Sequence, residues 1–448
     1  MTLAVRRVPP DSRLLAVIAG LGCGLALGAA LRKRRNTGPE LDRPNRHTQL
    51  AQLDGSPGRR YYTGRDLDRA VAIADLRART HRRLPRFALE YLEGGAEDEA
   101  TLMRERRAYA DWRFMPRTLV DVSKRSLETT LLGKPASMPL MVAPTGLNGV
   151  FCSHADIKLA EGAARAGVPF IQSTMSNDRM EDVAKVKGLR HWWQLYVFGA
   201  DEVWQEVVRR ADAAGCEALV LTTNTQIFGN REWQARTQAT KTRLSIPSAI
   251  DAALHPEWFA ATLLAEGMPS FKNVIDLVPK DHRGFFDSSS WIREHQPTSM
   301  SWDTVAAIRE RWKKPFILKG LLNLEDVRLA LDSGVDGIAL GAHGGRQLDW
   351  TVSALDLLPQ ARELVGDRMA LYVSGGLRRG SDLLKALCLG ADGVMAGRAP
   401  LYGLCAAGSA GVHRALEILR REATDAMGLL GAASLKELGP QFLTRVDH

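Results

Sequence analysis

Residues 317–349 read "ILKGLLNLEDVRLALDSGVDGIALGAHGGRQLD", and the fold turns on how this stretch is parsed. With Pro315 and Phe316 added, it opens on "PFILKG", a short, nearly continuous apolar run of strand length. Residues 324–333 follow, with apolar positions at helical spacing between charges. A second apolar run, "DGIALG", closes the stretch. Two such strands joined by a helix suit a parallel pair covered on both faces, because an antiparallel pair would need only a short turn. Beyond the second strand, His343 stands among Gly341, Gly344 and Gly345. That setting predicts backbone brought close to something other than protein.

The same alternation runs from Met138 onward. The runs "MPLMVAP", "VPFIQS", "WWQLYV" and "EALVLTT" precede the opening stretch, and "MALYVSG" and "ADGVMAG" follow it. Between them lie helix-like segments such as residues 178–187, 201–214 and 381–389. Eight βα units over about 260 residues predict an α/β fold, a (β/α)8 TIM barrel. A doubly wound open sheet is the alternative. One connection is long, with about ninety residues between Thr222 and Pro315. Its loop, 232–300, holds "HPEWFAATLL" and "MPSFKNVIDLV", apolar enough for a lid or a membrane contact.

Of 448 residues, 45% are hydrophobic and 25% charged, and the formal net charge is +9. Residues 1–60 carry eleven Lys/Arg against four Asp/Glu, which leaves 49 basic and 47 acidic groups in the rest. The body is nearly neutral, which argues against a nucleic-acid partner. Residues 14–31 hold eighteen positions without a charge, flanked by arginines and by "RKRR". At 1.5 Å per residue they reach about 27 Å, enough for a bilayer core. Residues 1–36 therefore read as a transmembrane anchor, with a cleaved targeting peptide or a peripheral tail as alternatives. The basic cluster on the C-terminal side places the body on the cytoplasmic side of the membrane. Residues 37–64 read as linker and 65–448 as the barrel domain with an N-terminal helical extension. Five cysteines without a CxxC pair read as free thiols, and no metal site is indicated.

In a barrel, chemistry gathers where strands end. The eight ends supply Thr145 and Gly146; Ser173; Gln194 and Tyr196; Thr222 and Asn224; Lys319; His343 and Arg346; Ser374, Gly376 and Arg378; and Gly397 and Arg398. Arg231 follows the fourth. The last two ends are glycine-rich and each brings an arginine, which suits a phosphate. Polar groups on strands 2–4 can pair the edge of a planar heterocycle, and Lys319 can hold negative charge on it. Together these describe a site for flavin mononucleotide (FMN). Arg231 and Arg346 suit a small carboxylate. His343 suits a proton acceptor, and Tyr196 and Tyr91 remain as further contacts. Base, carboxylate clamp and flavin together point to a 2-hydroxy acid oxidised to a 2-oxo acid. A phosphate-binding aldolase or isomerase, with Lys319 forming a Schiff base, is an alternative of another class.

"APTGLNG", "WWQLYV", "GNRE", the opening stretch and "GGLRRGSDLLKALCLGADGVMAGR" resemble the FMN-dependent 2-hydroxy acid dehydrogenases and oxidases. That family includes glycolate oxidase, respiratory L-lactate dehydrogenase and mandelate dehydrogenase. "LPRFALEYLEGGAEDEATL" resembles its N-terminal helices and puts the pocket tyrosine at Tyr91. The resemblance implies His343 as base, with Arg231, Arg346, Tyr196 and Tyr91 on the substrate. It implies Lys319 beside the reduced flavin, and Thr145, Ser173, Gln194 and Thr222 around the ring. It also implies Arg378, Gly397 and Arg398 on the phosphate, and a homo-oligomer. Gly146 resembles the mandelate-type dehydrogenases, and with the anchor it suggests a membrane quinone as electron acceptor.

Three places depart from the family pattern. Asn224 stands where an acid usually pairs with the histidine, Ser374 where an aspartate holds the ribityl chain, and Gly341-Ala342 where Ser-Asn precedes the histidine. These departures predict a weaker flavin site and slow or altered activity. They keep open an oxygen-using oxidase and a catalytically impaired flavin-binding homologue.

Overall fold

The computed structural model describes residues 60–240, 243–283, 285–296 and 298–446. The eight apolar runs form eight strands: β1 Leu140–Val142, β2 Phe170–Ser173, β3 His191–Leu195, β4 Ala218–Thr222, β5 Phe316–Leu321, β6 Gly337–Leu340, β7 Ala370–Ser374 and β8 Gly393–Ala396. Every neighbour pair is parallel, and β8 returns to β1 to close the barrel. The open-sheet alternative is thereby excluded.

Strand residues point alternately inward and outward. One side chain per strand fills the barrel interior: Met141, Ile171, Trp192, Val220, Ile317, Ala339, Tyr372 and Met395. The residues between them face the surrounding helices and join the larger outer core. Two positions further along, each strand points inward again. That layer is Ala143, Ser173, Gln194, Thr222, Lys319, Gly341, Ser374 and Gly397. Apolar packing thus gives way to polar and small groups at the C-terminal mouth. Across it Ser173 pairs in register with Gln194, and Lys319 with Thr222.

The helices after the strands include α1 Ala155–Ala166, α2 Met180–Val183, α3 Asp201–Ala213, α4 Trp302–Arg311, α5 Leu324–Asp332, α6 Ala354–Val365, α7 Gly380–Cys388 and α8 Arg398–Leu430. Most match the pattern read from the sequence. Residues 178–187 differ, because only α2 is helical there. Lys185 and Val186 donate to carbonyls three residues back, Asp182 and Val183, and these tighter turns carry the short chain into β3. α8 is two helices meeting at a kink, where Ala407 and Gly408 leave helical φ/ψ.

Ahead of the barrel run three helices, Ile73–Arg83, Arg86–Glu93 and Ala100–Arg107. The segment after β4 is built rather than loose. It holds a hairpin of Gln238–Thr240 with Arg243–Leu244 and the helices Ile246–Ala253 and Phe285–Glu294. It is tied to the body by Trp258, whose indole N–H donates to Val150 O at 2.7 Å. The described cysteines are free and buried. Among the described residues no helix is long and apolar enough to cross a membrane. Residues 14–31, read as an anchor, lie outside the described residues.

The α8 kink folds two backbones onto each other. A β-carbon on Gly411 would lie 2.0 Å from Gly403 O, and one on Gly403 would lie 2.2 Å from Gly411 O. Gly411→Val should destabilise the protein by about 1–3 kcal/mol, the usual cost of overpacking. A urea melt will read this as a lower midpoint at unchanged slope.

Candidate active site

Above the polar layer lies a cavity walled by strand-end loops, the N-terminal helices and the segment after β4. Of the residues singled out in the sequence, the cavity is lined by Tyr91, Thr145, Gly146, Tyr196, Arg231, Lys319, His343, Arg346, Ser374, Gly376, Arg378, Gly397 and Arg398. Ser173, Gln194 and Thr222 stand just behind this lining, buried in the strand ends.

His343 sits one turn past β6 with φ of 55°, a left-handed conformation unusual for a residue with a β-carbon. The turn carries the imidazole into the cavity. Its Nε2 lies 3.5 Å from the Tyr196 hydroxyl, and its buried Nδ1 has no hydrogen-bond partner. Burial, followed by the positive charges of Lys319, Arg231, Arg346 and Arg398, holds the ring well below the ordinary histidine range. It is therefore neutral at pH 7. Asn224 donates from Nδ2 to Gly341 O at 3.2 Å, and its Oδ1 also lacks a partner. The amide can approach because residue 320 is glycine: a β-carbon there would lie 2.5 Å from Asn224 Cγ.

Of the three glycines around His343, Gly344 lines the cavity as the sequence suggested, but Gly341 and Gly345 do not serve that purpose. A β-carbon on Gly341 would lie 2.4 Å from Ser374 O, and one on Gly345 would lie 2.6 Å from the Leu102 backbone. Protein fills both spaces: β7 beside the first, the helical extension beside the second. Their small size lets the extension dock.

Two guanidinium groups line the same cavity as His343. Arg231 donates from Nε to Arg346 O and from Nη2 to Gln347 Oε1, each at 3.2 Å. Arg346 donates from Nη1 to Gly94 O at 2.6 Å, and its guanidinium stands 5.0 Å from the Tyr91 ring centre. Burial first, then Arg231, disfavours the charge on Arg346. Arginine keeps its proton nonetheless, so the pair is poised to gain from an anion. Tyr91 is fixed by donating from its hydroxyl to Gly146 O at 2.9 Å.

Lys319 lines the same cavity and is buried, and desolvation lowers its ammonium to about 8 against the opposing charge of Glu105. At the ends of β7 and β8 the backbone turns through Gly375 and Gly376, both at positive φ, and α8 begins directly after Gly397. Backbone N–H groups at the start of α8 and the Arg378 side chain are groups that could hold an anion at this corner. Arg398 is more committed than the sequence suggested. It donates to Leu92 O, Gly344 O, Glu93 O and Gly94 O at 2.9–3.2 Å, so it mainly pins the extension.

Two buried donors at the mouth have no partner, Thr145 Oγ1 and Gln194 Nε2. Ser173 Oγ donates to Gln194 Oε1 at 2.8 Å, which directs the free amide N–H₂ away from it. The cavity is closed further by Phe228, Phe271, Ile292 and Gln296 of the segment after β4 and by Leu92 of the extension. Reading strand ends alone misses these groups, since none lies on a barrel strand. Glu105, on the helix Ala100–Arg107, was missed for the same reason.

A sequence model of FMN-dependent dehydrogenases matches residues 80–445. The (S)-mandelate dehydrogenase of Pseudomonas putida is 37% identical over 377 residues, covering 83% of this chain and 93% of that protein. The L-lactate dehydrogenase of Caulobacter sp. (strain K31) is 36% identical over 377 residues, covering 84% and 99%. A crystal structure of monotopic membrane (S)-mandelate dehydrogenase superposes with a TM-score of 0.80 at 37% identity, covering 84% of this chain and 99% of that one. A mandelate oxidase variant with (S)-mandelic acid gives a TM-score of 0.71 at 32% identity, covering 84% and 99%.

The paired guanidinium groups make a direct prediction. Phenylacetate, a carboxylate without a hydroxyl to oxidise, should bind the cavity. Arg346→Ala should weaken it by about 10- to 100-fold, the worth of one charged hydrogen-bonded contact. Isothermal titration calorimetry on both proteins measures this.

Proposed function

The chain belongs to the FMN-dependent dehydrogenase family, and on that premise we propose that it oxidises a small L-2-hydroxy acid to the 2-oxo acid. One observation carries the reading: His343, Arg231 and Arg346, from distant parts of the chain, line one cavity together with Lys319. The residues present fit FMN. The unpartnered Thr145 Oγ1 on the cavity lining and the unpartnered Gln194 Nε2 just behind it, beside Ser173 and Thr222, are donors suited to a heterocycle edge. The glycine turns after β7 and β8, with Ser374, Gly376, Arg378, Gly397 and the remaining N–H of Arg398, would hold the ribityl phosphate. FMN, when bound, accepts the two electrons that leave the substrate carbon.

Arg231 and Arg346 grip the carboxylate and fix which face of the neighbouring carbon meets the base. Tyr91 and Tyr196 bound the same space, and the Tyr196 hydroxyl beside Nε2 can orient the substrate hydroxyl. Of the two hydrogens removed, one leaves as a proton, and Nε2 of the neutral His343 is placed to take it. The protonated ring then faces four cations. Asn224 can hold Nδ1–H through its free Oδ1, but a neutral amide stabilises an imidazolium far less than a carboxylate does. Slow proton transfer is the consequence. The impaired-homologue reading differs in predicting no reduction at all.

The relatives suggest lactate and mandelate as candidate substrates. A membrane quinone is the proposed acceptor, and oxygen use would show instead as peroxide. Membrane association is supported by the likeness to a monotopic membrane protein and by the helix Ile246–Ala253. Ile246, Ile250 and Leu254 stand exposed at intervals of four, an apolar stripe on one helix face. Residues 14–31 would add a second attachment. The exposed Leu348 and Trp350 offer an apolar contact for a homo-oligomer.

Anaerobic mixing with L-lactate or (S)-mandelate should bleach the flavin absorbance. His343→Gln should slow this by about 10²- to 10⁴-fold, the usual worth of a positioned base. Asn224→Asp should speed it. Because the imidazole titrates well below its usual range, the rate should hold to pH values well under about 6.5. It should fall above pH 8, where Lys319 loses its proton at about 8. A flavin that no 2-hydroxy acid bleaches would overturn the assignment. Vesicles of anionic lipid should retain the protein, and Ile250→Asp with Leu254→Asp should reduce that retention.

A further inference from the structure

Outside the barrel, yet packed against its strand ends, stands one acid that the chemistry above does not use. Glu105 belongs to the helix Ala100–Arg107 and is 3% exposed. Its Oε1 accepts the Ala342 N–H at 3.2 Å, and its buried Oε2 has no hydrogen-bond partner. The carboxylate is wedged between the ends of β6 and β7. A β-carbon on Gly375 would lie 1.3 Å from Oε2, and one on Gly376 would lie 2.1 Å from Glu105 O. Both are glycine at positive φ, so the β7 turn is shaped around this side chain.

We propose that Glu105 is a positioning residue of the cofactor site, the buried counter-charge that keeps Lys319 in its ammonium form at the mouth of the barrel. Lys319 on β5 and Gly341 at the end of the neighbouring β6 share the inward layer, and the next residue, Ala342, gives its N–H to Glu105, so ammonium and carboxylate meet at adjacent strand ends without a direct ion pair. Lys319, Arg398 and Arg378 each favour the charge on the carboxylate. Tyr109 lies on the remaining side, donates to Gly375 O at 3.1 Å, and itself faces Asp382, Arg106 and Arg378. Among the described residues Glu105 is the charged group that raises Lys319 against its burial. Arg378 and Arg398 keep their protons whatever their setting; Lys319 does not, so the acid matters most to the lysine. A group needed only to receive the Ala342 N–H would have no use for a second, unpartnered oxygen in a dry site. Burial also raises Glu105 itself to about 7, which places both groups near neutral pH.

The inference rests on FMN as the cofactor, and the test separates the two. The full chain, its Glu105→Gln variant and its Glu105→Asp variant are titrated with FMN from pH 6 to 9, following flavin fluorescence. The dissociation constant of the unmodified chain should stay level to about pH 8 and rise above it as Lys319 loses its proton. In Glu105→Gln the rise should begin about one pH unit lower, so that at pH 8 FMN binds about fivefold more weakly. Glu105→Asp should restore part of the difference. A folded Glu105→Gln, judged by circular dichroism and melting temperature, that keeps the original profile would reduce Glu105 to a backbone cap and overturn the proposal. So would an unmodified chain whose affinity shows no break between pH 7 and 9, whether or not either variant folds. No FMN binding at any pH would instead overturn the cofactor assignment.

Discussion

The site depends on how the carbonyl end of one short helix meets two arginines. Arg86–Glu93 ends at Gly94, and the backbone oxygens of Leu92, Glu93 and Gly94 receive N–H groups from Arg398, with Gly94 O also receiving Arg346. Cations at a helix C-terminus are favoured by the partial negative charge gathered there, and each charge-assisted bond contributes about 1.5–3 kcal/mol. Arg398 opens α8, while Arg346 follows β6. One set of carbonyls therefore locks the extension to two ends of the barrel. Tyr91, on the same helix, is carried over the cavity and lies beneath Arg346. Without this clasp the mouth would lack a wall, and Arg346 would lack the contact that fixes its direction.

The same clasp explains the electrical character of the cavity. Arg231, Arg346, Arg398 and Lys319 all bear on His343, and burial adds to their effect. The site thus holds a neutral base among gathered positive charge, which an incoming carboxylate would relieve. Family members with an acid in place of Asn224 would share the imidazolium charge with it. Here the ring and the amide each keep one unpartnered atom. An acid from outside the barrel, Glu105, bears instead on Lys319.

Most of the barrel was legible because a strand buried on both faces has no choice of pattern. "PFILKG", "DGIALG" and their six counterparts are apolar because core lies on either side of them. Their inward positions repeat every second residue. From Ile317 the next inward step is Lys319, and from Trp192 it is Gln194, so the polar mouth follows from the alternation that fills the core. Helix α2 was less legible, since charge and apolar spacing look alike in a helix and in successive tight turns. Gly341 and Gly345, two of the three glycines beside His343, were misread for a related reason. Glycine marks a close approach, but the sequence does not say what approaches; here it is Leu102 and Ser374.

The sequence by itself determined the βα repeat, the inward polar layer and the residue types able to bind a flavin and a hydroxy acid. Periodicity and strand-end chemistry are local, and a chain carries them wherever it folds. Only the tertiary structure decided that Arg398 grips helix carbonyls before any phosphate, that Phe271 and Ile292 roof the cavity, and that Glu105 stands against the β7 turn. These contacts join residues one to three hundred positions apart. Their energies come from burial and charge in a shared space, and no window of sequence contains that space.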